Sequence, residues 1–130
     1  MKKLGKRIAA VSAAMVVAVS MMSIGAGAVT DVESGKLSDY TVKGSSTVTA
    51  TTGSSSTITS ANTTATVTGT YSYVNTSTLS TGKTSRSNGY MYSASVSFNA
   101  PSGCRSVKET GSHSVSYSSQ KWTASTSATY

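Results

Sequence analysis

The sequence predicts an all-β fold, a small antiparallel β-sandwich of about seven short strands preceded by a cleaved helical signal peptide. Three observations favour it. Apolar and polar residues alternate with period two in several segments, turn-forming residues separate those segments, and helical periodicity is missing after residue 28. Successive side chains of a strand point to opposite faces of the sheet, so this alternation is typical of half-buried strands.

The N-terminus has the three parts of a secretory signal peptide. Residues 1–7 carry four positive charges, residues 8–30 form an uncharged run rich in Ala, Val and Met, and Ala26-Gly27-Ala28 is a small-residue cleavage site. A membrane anchor is the alternative, because about 20 apolar residues can span a bilayer. Ser and Gly interrupt the run, and acidic residues follow it. We therefore predict a signal peptide over residues 1–28, cleavage after Ala28, and a secreted or extracellular location.

The predicted mature chain, residues 29–130, is rich in hydroxyl side chains. Ser and Thr supply 46 of its 102 residues, whereas Leu, Ile, Val and Phe supply 13. So few apolar residues favour disorder, but the charge is low and every aromatic residue of the protein lies in this part, which favours folding. The predicted organisation is a flexible N-terminal arm over residues 29–39 and one β-sandwich domain over residues 40–130.

The charge of the mature chain is modest. Seven basic residues remain against four acids after residue 28, a net charge of +3. The basic residues are scattered along the sequence, whereas a nucleic-acid interface requires a clustered basic face. We therefore expect no nucleic-acid partner.

Alternation predicts which side chains face the core. In residues 40–51, 63–74, 90–99 and 122–130, one face is apolar or small and the other is almost wholly Ser and Thr. A short strand is predicted around Ile58. The residues predicted to point inward include Val42, Val48, Ala50, Ile58, Ala65, Val67, Tyr71, Tyr73, Tyr90, Tyr92, Ala94, Val96, Phe98, His113, Val115, Tyr117, Trp122, Ala124, Ala128 and Tyr130.

Turn residues predict the connections. Asn88-Gly89 is a strong hairpin signal, because both residue types tolerate positive φ. Glu109-Thr110-Gly111 and Ser119-Gln120 are predicted as further turns, and residues 75–87, which lack alternation, as a long exposed loop. Because Val and Ala are small, the aromatic residues, Trp122 above all, are expected to supply most of the core volume.

The mature chain offers few groups for chemistry. It has one His, one Cys and four acids, too few in any one segment for a metal site. Cys104 and His113 are the one conceivable nucleophile and base, nine residues apart across the predicted turn. Because His113 alternates in phase with Val115 and Tyr117, a sheet position is the better interpretation. We predict no catalytic, cofactor-binding or metal-binding residue, no cofactor and no enzyme, and leave binding residues unassigned.

Cys104 is the one cysteine in the chain. It therefore cannot form an internal disulfide, and is either a lone thiol or an intermolecular link. Packing alone is expected to stabilise the domain.

The leading functional hypothesis is a small secreted or cell-surface-associated β-protein with a binding or assembly role. The expected partner is a cell-wall glycan, a protein or a second copy of the chain. Surfaces of Tyr, Ser, Thr and Asn suit adaptable polar contacts. The alternative is an antagonistic peptide: residues 92–130 resemble the small leader-bearing bacteriocins of the lactococcin type, which are β-rich, poor in Cys and end in aromatic residues.

Overall fold

A computed structural model describes residues 17–22, by their backbone alone, and residues 27–130. These residues form strands and connections. The strands are β1 (Val17–Met22), β2 (Val29–Leu37), β3 (Tyr40–Val48), β4 (Thr52–Thr59), β5 (Thr64–Asn75), β6 (Thr81–Met91), β7 (Ser93–Asn99), β8 (Cys104–Tyr117) and β9 (Gln120–Thr129). The described residues include no helix long and apolar enough to cross a membrane.

The strands form two antiparallel sheets, which confirms the all-β prediction. The order in the first sheet is β1-β2-β3-β4-β7, and the order in the second is β6-β5-β8-β9. Residues 29–130 thus supply four strands to each sheet, and β1 adds a fifth to the first. The sheets pack face to face, so that β2 lies over β9 and β7 lies over β5 and β6.

Most of the predicted alternation is found in the sheets. Even-numbered residues of β3 and odd-numbered residues of β5 point inward, and so do Ala94, Val96 and Phe98 of β7. Trp122 is fully buried, as its phase in the last strand predicts. Tyr71 is also fully buried; its ring stacks on Phe98 at a centroid distance of 5.5 Å, and its hydroxyl lies 2.6 Å from Ser106 Oγ.

Four segments differ from the sequence prediction. Val29–Leu37, expected in the flexible arm, is strand β2 and pairs with β3 along its whole length. Residues 81–87, expected in the long loop, belong to β6, and the Asn88-Gly89 pair lies within that strand rather than at a turn. Glu109-Thr110-Gly111 likewise lies inside β8, because long-range pairing with β5 and β9 overrides the local turn preference.

The predicted strand over residues 90–99 is divided between the two sheets. Tyr92 has a φ of 67°, a left-handed conformation, and separates β6 of the second sheet from β7 of the first. The predicted inward positions Tyr90 and Tyr92 are consequently exposed. Ile58 is also exposed, because Thr57 and Thr59 occupy the inner face of β4 in its place. Tyr130 is exposed at the end of the chain.

Side chains close both flanks where the edges of the two sheets meet. On one flank, Arg86 Nη1 donates to Ser97 O at 3.2 Å, and Asn88 Nδ2 donates to Ser95 O at 3.0 Å. On the other, Asp31 Oδ2 accepts a 2.8 Å hydrogen bond from the Ser127 backbone N–H. These bonds occupy edge backbone groups of β7 and β9 that would otherwise be open to another strand.

The predicted signal peptide, residues 1–28, lies outside the described residues except for Gly27, Ala28 and the backbone of β1. That backbone is extended and pairs with β2, from Val17 opposite Ser34 to Met22 opposite Val29.

Candidate functional site

The space between the sheets contains a continuous chain of hydrogen-bonded side chains. Thr57 Oγ1 lies 2.8 Å from His113 Nδ1, and His113 Nε2 lies 2.8 Å from Thr126 Oγ1. From Thr126 the chain continues to Ser46 at 2.6 Å, to Ser55 at 2.7 Å and to Glu109 Oε1 at 2.8 Å. All six side chains are buried. We call this set the buried network.

The direction of every hydrogen bond in the buried network follows from its acidic end. Ser55 donates to Glu109, so Ser46 must donate to Ser55, and Thr126 to Ser46, because each hydroxyl has one proton. His113 Nε2–H must then donate to Thr126, and in the neutral ring Nδ1 accepts from Thr57. The network therefore specifies that Nε2 carries a proton, and burial, which lowers the pKa of His113, favours the neutral ring.

Burial shifts both titratable groups of the network toward their neutral forms. Burial raises the pKa of Glu109 to about 7, and the hydrogen bond from Ser55 partly opposes that rise. Its other oxygen, Oε2, has no hydrogen-bond partner among the described residues. Burial lowers the pKa of His113 to about 4, against the opposing charge of Asp31.

The pKa shifts of Glu109 and His113 are opposite in direction. Together they should leave the free energy of unfolding unchanged between about pH 4.5 and 6.5. The raised pKa of Glu109 means that its contribution is lost as the pH rises toward 7. The lowered pKa of His113 means that its contribution is lost as the pH falls from about 6.5 to 4. Between these limits the folded state binds one proton more than the unfolded state at Glu109 and one proton fewer at His113. The two contributions to the slope of the unfolding free energy against pH therefore cancel. Desolvation also raises the pKa of Glu33, which acts in the same direction as Glu109.

Glu109→Gln removes the contribution of Glu109 to the pH dependence of the unfolding free energy and leaves that of His113. The free energy of unfolding in urea should then fall as the pH decreases from 6.5 to 4, by on the order of 3 kcal/mol if the whole His113 shift is expressed. His113→Gln is the matched control and should show the opposite slope between pH 4.5 and 7. A Glu109→Gln profile parallel to that of the unchanged protein would contradict the assignment.

Cys104 and His113 do not meet. Both lie on the continuous strand β8, at its first residue and near its end. Nine residues of strand, at about 3.3 Å each, separate them by roughly 30 Å. The turn that was expected to bring them together does not exist. The described residues hold no group of three His, Cys, Asp or Glu side chains close enough to bind a metal ion.

The outer face of the second sheet is an array of hydroxyl groups. Three successive rows cross its strands with the register of β6, β5, β8 and β9, and their outward side chains are Ser or Thr at every position except Gly89. We call this surface the hydroxyl face. Its rows are Gly89, Thr66, Ser114 and Thr123; Ser87, Thr68, Ser112 and Ser125; and Ser85, Thr70, Thr110 and Ser127.

The two halves of the hydroxyl face differ in their hydrogen bonds. On the β5–β6 side, Thr68 bonds Ser87 at 2.7 Å and Thr70 bonds Ser85 at 2.9 Å. On the β8–β9 side, Thr110 Oγ1 donates to Thr70 O at 3.5 Å. The other five hydroxyls make no side-chain hydrogen bond to any described residue: they are Ser112, Ser114, Thr123, Ser125 and Ser127. A shallow depression of about 320 Å³ lies over this side, between β5 and β9. It offers the donors and acceptors of these hydroxyls to a ligand.

A bulge places basic residues at one end of the hydroxyl face. The register between β5 and β8 shifts after Ser72, which faces Lys108, whereas Tyr73 faces Ser106, so that Val107 has no partner in β5. The extra residue reverses the alternation of β8. Arg105 and Lys108, three residues apart, are therefore both exposed on the outer face, whereas Ser106 and Glu109 are both buried.

Lys83 completes this basic cluster. It faces Ser72 from β6, on the side opposite Lys108. The two lysines are thus two strand spacings apart, roughly 10 Å between Cα atoms. We call Lys83, Arg105 and Lys108 the basic end. The sequence prediction of scattered basic residues missed it, because the three meet only through strand pairing and the bulge.

The first sheet carries a separate groove on its outer face. Its volume is about 500 Å³, and its lining includes Lys36, Lys43 and the exposed Ile58. Asp39 lies in the adjoining β2–β3 turn. With its two lysines, this groove provides a comparison site on the opposite face.

Comparison with protein families, with curated proteins and with solved structures finds no match for this chain.

Proposed function

We propose that the protein is a non-enzymatic, secreted or cell-surface-associated binding protein whose hydroxyl face holds a carbohydrate polymer. The observation that carries this proposal is the group of five hydroxyls on β8 and β9 that have no side-chain partners, beside a shallow depression. Each hydroxyl is both a donor and an acceptor, which suits the hydroxyl groups of sugars.

The weakness of single hydrogen bonds favours a polymer over a small sugar. Each bond contributes only about 0.5–1.5 kcal/mol net, because it replaces a bond to water. An open, nearly flat surface also leaves a small ligand mostly solvated. A chain of sugar units that crosses three rows of the hydroxyl face can form many such bonds at once.

Three capped backbone groups weigh against assembly through the edges of β7 and β9. Arg86 and Asn88 occupy carbonyl groups of β7, and Asp31 occupies an N–H group of β9. Natural edge strands that are capped in this way resist pairing with further strands.

The proposal is tested by retention of the purified protein in gels that contain soluble polysaccharides and on insoluble cell-wall preparations. The double substitution Ser112→Val with Ser125→Val removes two central hydroxyls. It preserves the strands, because Val has a high strand preference. Retention should fall at least fivefold. The matched control, Ser95→Val with Ser97→Val on the outer face of the other sheet, should retain the full affinity.

Two outcomes would count against the proposal: no retention on any polysaccharide, or equal losses in the two double variants. Inhibition of related bacteria by the purified protein, without polymer retention, would favour the antagonistic peptide instead. Export is checked by the mass of the protein recovered from the culture medium, which should correspond to a chain that begins at Val29.

A further inference from the structure

The basic end adjoins the hydroxyl face without a gap. The row that contains Lys83 and Lys108 follows directly after the row of Ser85, Thr70, Thr110 and Ser127. A polymer that lies across the hydroxyl face can therefore reach the basic end.

The cations of the basic end are available to a ligand. Lys83, Arg105 and Lys108 are exposed, and no described residue forms an ion pair with any of them. Glu109, the neighbour of Lys108 in sequence, points into the core and forms no ion pair with a described surface residue. The other acids belong to β2 and the turn that follows it, in the opposite sheet, and of these Asp31 reaches the edge of β9, where it accepts from the Ser127 backbone N–H.

The bulge that creates the basic end is held in place by further contacts. Ser106 N donates to Ala50 O at 2.8 Å, and Tyr130 N donates to Val107 O at 3.0 Å. Ser106 Oγ also bonds the buried Tyr71 hydroxyl at 2.6 Å. Because the backbone on both sides of Val107 is fixed, Arg105 and Lys108 stay on the same face.

We propose that the polymer held by this surface is anionic, and that the basic end binds its carboxylate or phosphate groups while the hydroxyl face binds its sugar units. This inference rests on the proposed carbohydrate-binding function. The spacing of Lys83 and Lys108 on either side of Ser72 suits one anionic group between two long, flexible cations, with Arg105 able to offer paired N–H donors to the same group or the next.

The test compares retention on polygalacturonate, poly(glycerol phosphate) and neutral dextran. Polygalacturonate carries carboxylate groups and poly(glycerol phosphate) carries phosphate groups, so the comparison shows which anion the basic end binds. Lys83→Ser with Lys108→Ser should weaken retention on at least one anionic polymer tenfold or more and leave dextran retention unchanged. In the unchanged protein, retention on the same polymer should fall severalfold between 0.05 and 0.5 M NaCl, because salt screens exposed charges.

Lys36→Ser with Lys43→Ser is the matched control, since it removes the same charge from the groove on the opposite sheet. It should change retention less than twofold. Equal losses in the two lysine variants would overturn the inference in favour of a general charge effect. A greater loss in the control would assign the anion to the groove.

The two proposals fail in different ways. If Ser112→Val with Ser125→Val weakens retention on dextran but the Lys83 and Lys108 variant binds all polymers normally, the anionic specificity is wrong and carbohydrate binding stands. If no polymer is retained, but vesicles of phosphatidylglycerol and phosphatidylcholine bind the protein and the Lys83 and Lys108 variant does not bind them, the basic end serves a lipid surface and both polymer proposals are wrong. Thermal melts within a few degrees of the unchanged protein establish that each variant is folded.

Discussion

Trp122→Ala is expected to destabilise the protein by about 3–5 kcal/mol, the range for removal of a large aromatic side chain from a core. Trp122 is completely buried and faces Val115 of the neighbouring strand. The other apolar residues of the core are mainly Val and Ala, which are too small to fill the space that the indole leaves. Small domains have net stabilities of about 5–15 kcal/mol, so the loss is a large part of the total.

Urea unfolding of Trp122→Ala measures this cost. Thr123→Ala is the control, because the neighbouring residue of the same strand is exposed, and its cost should stay near 0.5 kcal/mol or below. Trp122 Nε1 has no hydrogen-bond partner among the described residues. Trp122→Phe should therefore cost clearly less than Trp122→Ala, since it keeps a ring and removes an unpaired buried donor. An unfolding midpoint of Trp122→Ala equal to that of the unchanged protein would mean that the indole is not in the core.

Gly44→Ala is expected to cost about 3 kcal/mol or more, the upper range for an overpacked core. Gly44 lies in the middle of β3, and an added Cβ would overlap the ring of His113. The ring cannot move aside freely, because Thr57 and Thr126 hold its two nitrogens. The variant must either shift the sheets apart or break the buried network.

Gly89→Ala is the matched control for Gly44→Ala. Gly89 also lies within a strand, but on the exposed strand β6, where the nearest atom to an added Cβ is Thr66 Cγ2 at 3.4 Å. The exchange should be neutral or stabilise the protein by up to about 1 kcal/mol, because Ala loses less backbone entropy on folding than Gly. Equal effects of the two substitutions in urea unfolding would contradict the close packing of His113 on Gly44.

The period-two pattern was sufficient to predict the strands whose inner faces are apolar. In β5, β7 and β9 the inward residues are Val, Ala, Tyr, Phe or Trp except for Gly69 and Thr126, and burial of apolar side chains decides which face turns inward. The same argument failed for β4. There the pattern favoured Ile58 as the inward residue, but Ser55 and Thr57 face the core, because Glu109 and His113 of β8 require hydrogen-bond partners.

The candidate binding surface was only partly visible in the sequence. A polar Ser and Thr face was predicted for each strand, but its continuity over four strands depends on their order and register. The basic end was not predictable at all. Arg105 and Lys108 differ by three positions, which simple alternation assigns to opposite faces, and the bulge at Val107 leaves no local signal in the sequence.

The sequence by itself determined the all-β class, the inward phase of most strands and the burial of Trp122, because these depend on local alternation and on the hydrophobic effect. Only the tertiary structure decided the pairing of β2, the corner at Tyr92, the buried network and the basic end. The buried network and the basic end depend on contacts between residues far apart in the chain, such as Glu109 with Ser55 or Lys83 beside Lys108, and no local pattern contains that information.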